Sequence, residues 1–143
     1  GIDGGIRWQQ EGCVRDRADN QFHMTTTSGG AAGVLDWMEE WLRTEWPELS
    51  VVLTSVSEQW SVATLSGPHA RDILEAADIS IDLSDTAFPF MSMKEGYISG
   101  LPVRLFRISF TGELSYEINV PARYGVALWT ALMKAGEVVG ITP

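Results

Sequence analysis

The chain has 143 residues, 45% of them apolar, with six Trp and a formal net charge of −9. That composition excludes a disordered segment, and the acidic balance excludes a general nucleic-acid or anionic-membrane surface. A single Cys, Cys13, permits neither an internal disulfide nor a multi-cysteine metal site.

The apolar runs are too short to span a bilayer, and no basic region followed by an apolar stretch opens the sequence. A cytoplasmic protein of one domain is expected. The opening Gly1-Ile2-Asp3-Gly4-Gly5 and the closing Gly140-Ile141-Thr142-Pro143 read as cuts within a larger domain, so residues 1–143 are expected to be one module truncated at both ends.

In chain order, Cys13 to Arg17 and Phe22 to Thr27 read as a hairpin around Asp19-Asn20-Gln21. Ser28 is placed to cap a helix running to about Glu45. Val34, Leu35, Met38, Trp41 and Leu42 recur on its face, and Trp46-Pro47 ends it. Val51 to Val56 reads as a strand, followed by another from about Trp60 to Leu65. Pro68 suits the first turn of a helix that buries Ala70, Ile73, Leu74 and Ala77. Leu101 to Phe110 is apolar on both faces, as a central strand is. Tyr124, Ala127, Leu128, Ala131, Leu132 and Ala135 form a helical stripe, with Gly136 as its C-terminal cap. The six Trp are expected mostly in the core. Helices among paired strands predict an α+β fold: a ferredoxin-like, mostly antiparallel sheet with helices packed on one side.

The most informative stretch is Ser109-Phe110-Thr111-Gly112-Glu113-Leu114-Ser115-Tyr116-Glu117-Ile118-Asn119-Val120-Pro121. From Glu113 to Val120 it alternates without a break. Glu113, Ser115, Glu117 and Asn119 fall on one face, and Leu114, Tyr116, Ile118 and Val120 on the other. Thr111-Gly112 is short enough for a tight turn back from Leu101 to Phe110. A carboxylate on the polar face accepts hydrogen bonds only, and its two oxygens suit a planar group with two adjacent N–H donors. The aminopyrimidine edge of a pterin is such a group. Alternation by itself equally describes the wet face of an edge strand.

The wording Thr-Gly-Glu-x-x-Tyr-Glu-Ile-x-Val-Pro resembles the signature of the folate-binding aminomethyltransferase domain, the glycine cleavage T-protein family. Phe90-Met91-Ser92-Met93-Lys94-Glu95-Gly96, Leu65-Ser66-Gly67-Pro68-His69-Ala70-Arg71 and the helix Ala127 to Gly136 are similar to its neighbouring motifs. Met24 to Ala32 and Leu53 to Trp60 look closest to the branch of that family found in sarcosine oxidase alpha subunits. The resemblance implies a central part of an aminomethyltransferase folate-binding domain, with tetrahydrofolate as ligand. It also implies partner subunits in a hetero-oligomer, and FAD, FMN and NAD bound outside this segment. No Gly-x-Gly-x-x-Gly occurs here to hold a dinucleotide.

The implied reaction passes the one-carbon unit of oxidised sarcosine to tetrahydrofolate, giving 5,10-methylenetetrahydrofolate and glycine. The alternatives are a free-standing T-protein aminomethyltransferase and a non-catalytic module that keeps the fold for interaction or ligand sensing. The resemblance assigns Glu117 to the pterin ring. Glu113 suits the turn and is carried beside Glu117 as a binding candidate. Tyr97 and Phe90 have rings to stack on a pterin, although their apolar company suits a core. Arg104 and Arg107 lie on opposite faces of one strand, where one of them pairs with a carboxylate or both meet solvent; Arg107 is carried as a binding candidate. His23 and His69 lack ligand spacing, so no metal is expected, and Cys13 is read as a buried structural thiol. The family has an acidic pair before its first hairpin; aligned back from Cys13 this chain has Gln10 and Glu11 there, aligned from Gly4-Gly5 it has Trp8 and Gln9, and Asp3 is reached only across a larger gap. Glu11 is the catalytic candidate, with a side chain one methylene longer.

Overall fold

The computed structural model describes residues 12–18, by their backbone, and residues 20–143. Its contacts divide into two compact units, Gly1–Ser55 and Val56–Pro143.

In the first unit β1 (Gly12–Ala18) pairs antiparallel with β2 (Gln21–Thr26), the hairpin expected from the sequence. The side chain of Cys13 lies outside the described residues. Ser28 does not cap the next helix. Ser28–Gly30 instead forms a 3-10 turn, closed by the Gly30 N–H on the Thr27 carbonyl at 2.9 Å. The two glycines after Ser28 let the chain tighten, which moves the start of α1 (Ala31–Thr44) two residues on, with Gly30 as its cap. Val34, Leu35, Met38 and Leu42 of its stripe are half-buried.

Among the described residues tryptophan is not core; Trp8 lies outside them. Trp37, Trp41, Trp46 and Trp129 are between 36% and 50% exposed, and Trp60 is half-buried. In the first unit the rings shield one another instead: Trp37 meets Trp41 edge-on at 6.0 Å, and Trp41 stacks on Trp46 at 5.5 Å. Val51 to Val56 forms no strand. Val51 and Val52 are exposed, and no described strand lies beside them to satisfy their backbone.

The second unit holds β3 (Trp60–Ser66), α2 (Ala70–Ala76), β4 (Met93–Ile98), β5 (Leu101–Phe106), β6 (Ser115–Pro121) and α3 (Gly125–Gly136). Its four strands lie in the order β3-β6-β5-β4, antiparallel throughout. One face carries Leu65, Tyr116, Ile118, Val120, Val103, Leu105 and Ile98. Ile73 and Leu74 of α2, Leu128 and Leu132 of α3, and Phe88 pack against it as the core. The α+β class, the antiparallel sheet and the burial of Ala70, Ile73, Leu74 and Ala77 are as expected. Pro68 and His69 precede α2 in a turn.

Gly136 is the last residue of α3 rather than its left-handed cap. A Cβ there would lie 2.6 Å from Ile141 Cβ, so the position needs glycine for close approach. The left-handed residue is Gly140, with φ 73°, after a further 3-10 turn.

Sequence reading left β4 unassigned. Its signal is Ser99-Gly100, both at positive φ (48° and 76°), which is the geometry of a two-residue type I′ hairpin between Ile98 and Leu101. The β5–β6 connection differs from expectation in the opposite sense. Arg104 faces Asn119, Leu105 faces Ile118 and Phe106 faces Glu117, which is the register of a turn at Thr111-Gly112. Pairing nevertheless stops at Phe106. Beyond it the Arg107 N–H donates to the Ser92 carbonyl at 3.0 Å, and the Gly67 N–H donates to the Leu114 carbonyl at 2.9 Å. Each strand thus follows its outer neighbour and the hairpin opens.

An arginine clamp holds the opened end. Asp85 Oδ1 accepts from Arg71 Nη2 at 2.7 Å and pairs with Arg107 Nη2 at 2.9 Å, while Arg107 Nη1 donates to the Phe88 carbonyl at 2.7 Å. Phe88 stacks on Tyr116, whose hydroxyl accepts from Arg71 Nε at 3.4 Å. The hydrogen bond to Tyr116, with that to Asp85, pushes the Arg71 guanidinium further up from its ordinary value. The Arg71 and Arg107 guanidiniums hold the Asp85 carboxyl below the usual aspartate range.

Leu128→Ala, which empties a fully buried site against the sheet, should destabilise the chain by about 2–5 kcal/mol in urea unfolding. A loss no larger than that of an exposed leucine would contradict the packing. Asp85 has a depressed folded-state value, so its stabilisation is present above about pH 4 and is lost as pH falls below that. The midpoint advantage of wild type over Asp85→Asn should therefore hold from pH 7 to 5 and shrink on further acidification. A constant difference would show that the clamp carries no ionic stabilisation.

Candidate functional site

Strand alternation and the ladder register together define the sheet face turned away from α2 and α3. It carries Trp60, Val62, Thr64 and Ser66 from β3, and Ser115, Glu117, Asn119 and Pro121 from β6. Pro102, Arg104 and Phe106 come from β5, and Met93, Glu95 and Tyr97 from β4. The polar face read from the sequence is real, but its strand is not an edge. β6 lies between β3 and β5.

Its polar residues are correspondingly enclosed. Ser115 and Asn119 are each 4% exposed, and Glu117 is half-buried. Each of them has a partner. Ser115 Oγ and Ser66 Oγ share a hydrogen bond of 2.8 Å, and Asn119 Nδ2 donates to Glu117 Oε1 at 3.0 Å. Among the described residues Glu117 Oε2 has no hydrogen-bond partner.

At Asn119 the enclosure has a local cause. Arg104 on β5 stacks its guanidinium over the Trp60 ring on β3, 3.9 Å from the centroid. β6 runs between those strands, so the contact crosses above it. Arg104 is paired in register with Asn119, and Trp60 with Pro121. Asn119 therefore lies beneath a cation–π bridge. On its other side Arg104 Nε donates to Glu95 Oε1 on β4 at 3.0 Å. A chain of contacts, Trp60–Arg104–Glu95, thus links β3, β5 and β4 across β6 beside Glu117. Glu117 itself has exposed Thr64 on one side and buried Phe106 on the other.

The other candidates fall in different places. Glu113 is exposed in the open connection before β6. Tyr97 is 56% exposed on the edge strand β4 and shares the face of Glu117. Because Met93 is the β4 residue level with Glu117, Tyr97 sits about 13 Å along the strand and about 10 Å across the sheet from it. Phe90, weighed as a core residue, is 60% exposed. Arg107 belongs to the clamp on the helix side and is not brought to Glu117. Both Arg104 and Arg107 pair with carboxylates, where the sequence suggested one at most. Glu11 lies outside the described residues. The reading from sequence missed Asn119 and Trp60 as site residues. Asn119 stood out only as a polar member of the alternation, and the Trp60–Arg104 contact joins residues that carry no shared motif.

The chain is 45% identical over 97% of its length to the sarcosine oxidase subunit alpha of Corynebacterium sp. (strain P-1). It is 42% identical, again over 97%, to that of Rhizobium meliloti (strain 1021). With mitochondrial dimethylglycine dehydrogenase of Homo sapiens it shares 34% identity over 90% of its length. The chain spans only 14–15% of the length of these relatives. Among solved structures it is similar to a chain of the heterotetrameric sarcosine oxidase from Corynebacterium sp. U-96 in complex with pyrrole 2-carboxylate. That match has a TM-score of 0.72 at 23% identity and covers 91% of this chain and 62% of the other, a likeness of fold. The model of the GCVT N-terminal domain matches residues 3–143, and the chain belongs to that family.

Proposed function

We propose that this segment is the tetrahydrofolate-binding module of a sarcosine oxidase alpha subunit. There it would receive the one-carbon unit of oxidised sarcosine and pass it to tetrahydrofolate, giving 5,10-methylenetetrahydrofolate and glycine. The observation that carries the reading is Glu117. It is a half-buried carboxylate on an inner strand, with one oxygen held by Asn119 and the other without a partner among the described residues. A pterin offers two adjacent N–H donors to such a group. Burial of Phe106 beside it limits water, which strengthens those bonds.

In this reading the remaining candidates divide by distance. Tyr97 lies too far along the face to touch a ring seated at Glu117 and is placed to meet a more distant part of the ligand. Arg107 acts through the fold, by fixing the opened end of β5. Glu113, exposed in the connection, has at most a peripheral contact. Glu11, the acid nearest the family's acidic pair, would steady positive charge on the reacting nitrogens. FAD, FMN and NAD would bind elsewhere in the assembly, with the other subunits as partners. The named relatives are oxidases and dehydrogenases, which favours this reading over a free-standing aminomethyltransferase.

Glu117→Gln keeps the shape but turns one acceptor into a donor that faces a pterin donor. Folate affinity of the intact protein should fall by about 1.5–3 kcal/mol, roughly ten-fold to a hundred-fold, while Glu113→Gln changes it little. Calorimetric titration with tetrahydrofolate measures both, and equal affinity for wild type and Glu117→Gln would remove the assignment.

The segment expressed alone should be a poor catalyst. It spans a small part of its relatives, and an open pocket lets water weaken the contacts that catalysis needs. Formation of methylenetetrahydrofolate from tetrahydrofolate and formaldehyde well above the uncatalysed rate would contradict this.

A further inference from the structure

We propose that Asn119 is a positioning residue for Glu117: it fixes the carboxylate in the orientation that receives the pterin. The inference rests on the folate reading of Glu117 and adds a residue to it. Three observations carry it. First, Asn119 Nδ2 donates to Glu117 Oε1 at 3.0 Å across two positions of one strand face. Only the amide nitrogen of Asn can donate to a carboxylate, so the polarity of the contact is fixed. Second, Asn119 is 4% exposed, beneath the contact between Arg104 and the Trp60 ring at 3.9 Å. A side chain so covered has little rotamer freedom, whereas a half-buried glutamate has three rotatable bonds to restrain. Third, the bond occupies one lone-pair site of Oε1 and leaves the remaining sites of both oxygens for a planar double donor.

The arrangement also explains a buried amide on a sheet face. An Asn at the sheet centre adds no apolar packing and loses hydration. Its bond to a carboxylate is charge-assisted and restores part of that loss, but the pair is productive only if Glu117 is used. Of the charged groups near Asn119, Arg104 faces it from β5 and is itself paired with Glu95 from β4, while β3 presents the neutral Val62 opposite it.

Asn119→Asp is nearly isosteric, removes the donor and puts a second acceptor beside Glu117. The test is a double-mutant cycle on tetrahydrofolate affinity in the intact protein, using wild type, Glu117→Gln, Asn119→Asp and the double variant. Asn119→Asp should weaken binding about ten-fold in the wild-type background and less than about two-fold in the Glu117→Gln background, because its effect passes through the carboxylate. Equal losses in the two backgrounds would show that Asn119 acts on the fold alone, and no loss in either would show no role; both results overturn the proposal. Asn119→Ser, neutral and smaller, gives the same cycle where the Asp variant does not fold. Wild type that fails to bind, or binding indifferent to Glu117→Gln, would instead remove the folate reading itself and the inference with it. Binding that depends on Glu117 but not on Asn119 would remove only the inference.

Discussion

Arg104 reaching across β6 to stack on Trp60 is the contact on which the candidate site depends. It ties β5 to β3 over the strand between them and closes the face above Asn119. Glu95 holds the same guanidinium from β4, so one cation links β3, β5 and β4 across β6. A guanidinium suits this task because its plane stacks on indole while its edge still donates to a carboxylate. The consequence is local: on a wide sheet face, open at Val62 and Tyr97, Asn119 is enclosed beside half-buried Glu117. On the other face Leu128 and Leu132 press α3 onto the same strands, so the backbone carrying Glu117 is held from both sides.

The opened β5–β6 hairpin complements this brace. Its register is that of a tight turn, yet the strands part after Phe106 and Glu117. Backbone partners are not lost, because Arg107 pairs with the 91–92 segment and Leu114 with Gly67. The Arg71–Asp85–Arg107 clamp fixes the diverging end from the helix side. Glu117 therefore stands where pairing between the two central strands ends, and a ligand there would meet side chains rather than an unbroken ladder. The proposed folate site is this margin.

Much of the fold was legible because its signals are periodic. The alternation from Glu113 to Val120 and the helical stripe through Leu128 and Leu132 each follow from burying one face. Glu117 was legible for the same reason, since alternation puts it on the polar side. What failed had other causes. Ser28 has the chemistry of a cap, but the glycines behind it permit a tighter turn. Val51 to Val56 has strand composition but, among the described residues, no strand to pair with, which no local pattern reveals. The tryptophans were assigned by hydrophobicity, whereas Trp37, Trp41 and Trp46 cover one another and Trp60 serves as a platform for a cation. Alternation put Arg104 and Arg107 on opposite faces but did not say which face carries the site. The ladder register puts Arg104 on the face of Glu117 and Arg107 on the helix side. Asn119 was placed on the polar face but given no role, because its importance lies in a neighbour two positions away and in a roof built from two other strands.

The account's central claim is that a pterin is held by Glu117 on the face of β6 turned away from the helices. An experimental structure of the intact protein with tetrahydrofolate bound tests it most directly. The claim predicts two pterin N–H donors within about 3 Å of the Glu117 carboxylate oxygens, with the Asn119 bond to Oε1 retained. A pterin bound elsewhere, with the Glu117 carboxylate solvated or paired only within the protein, would contradict it.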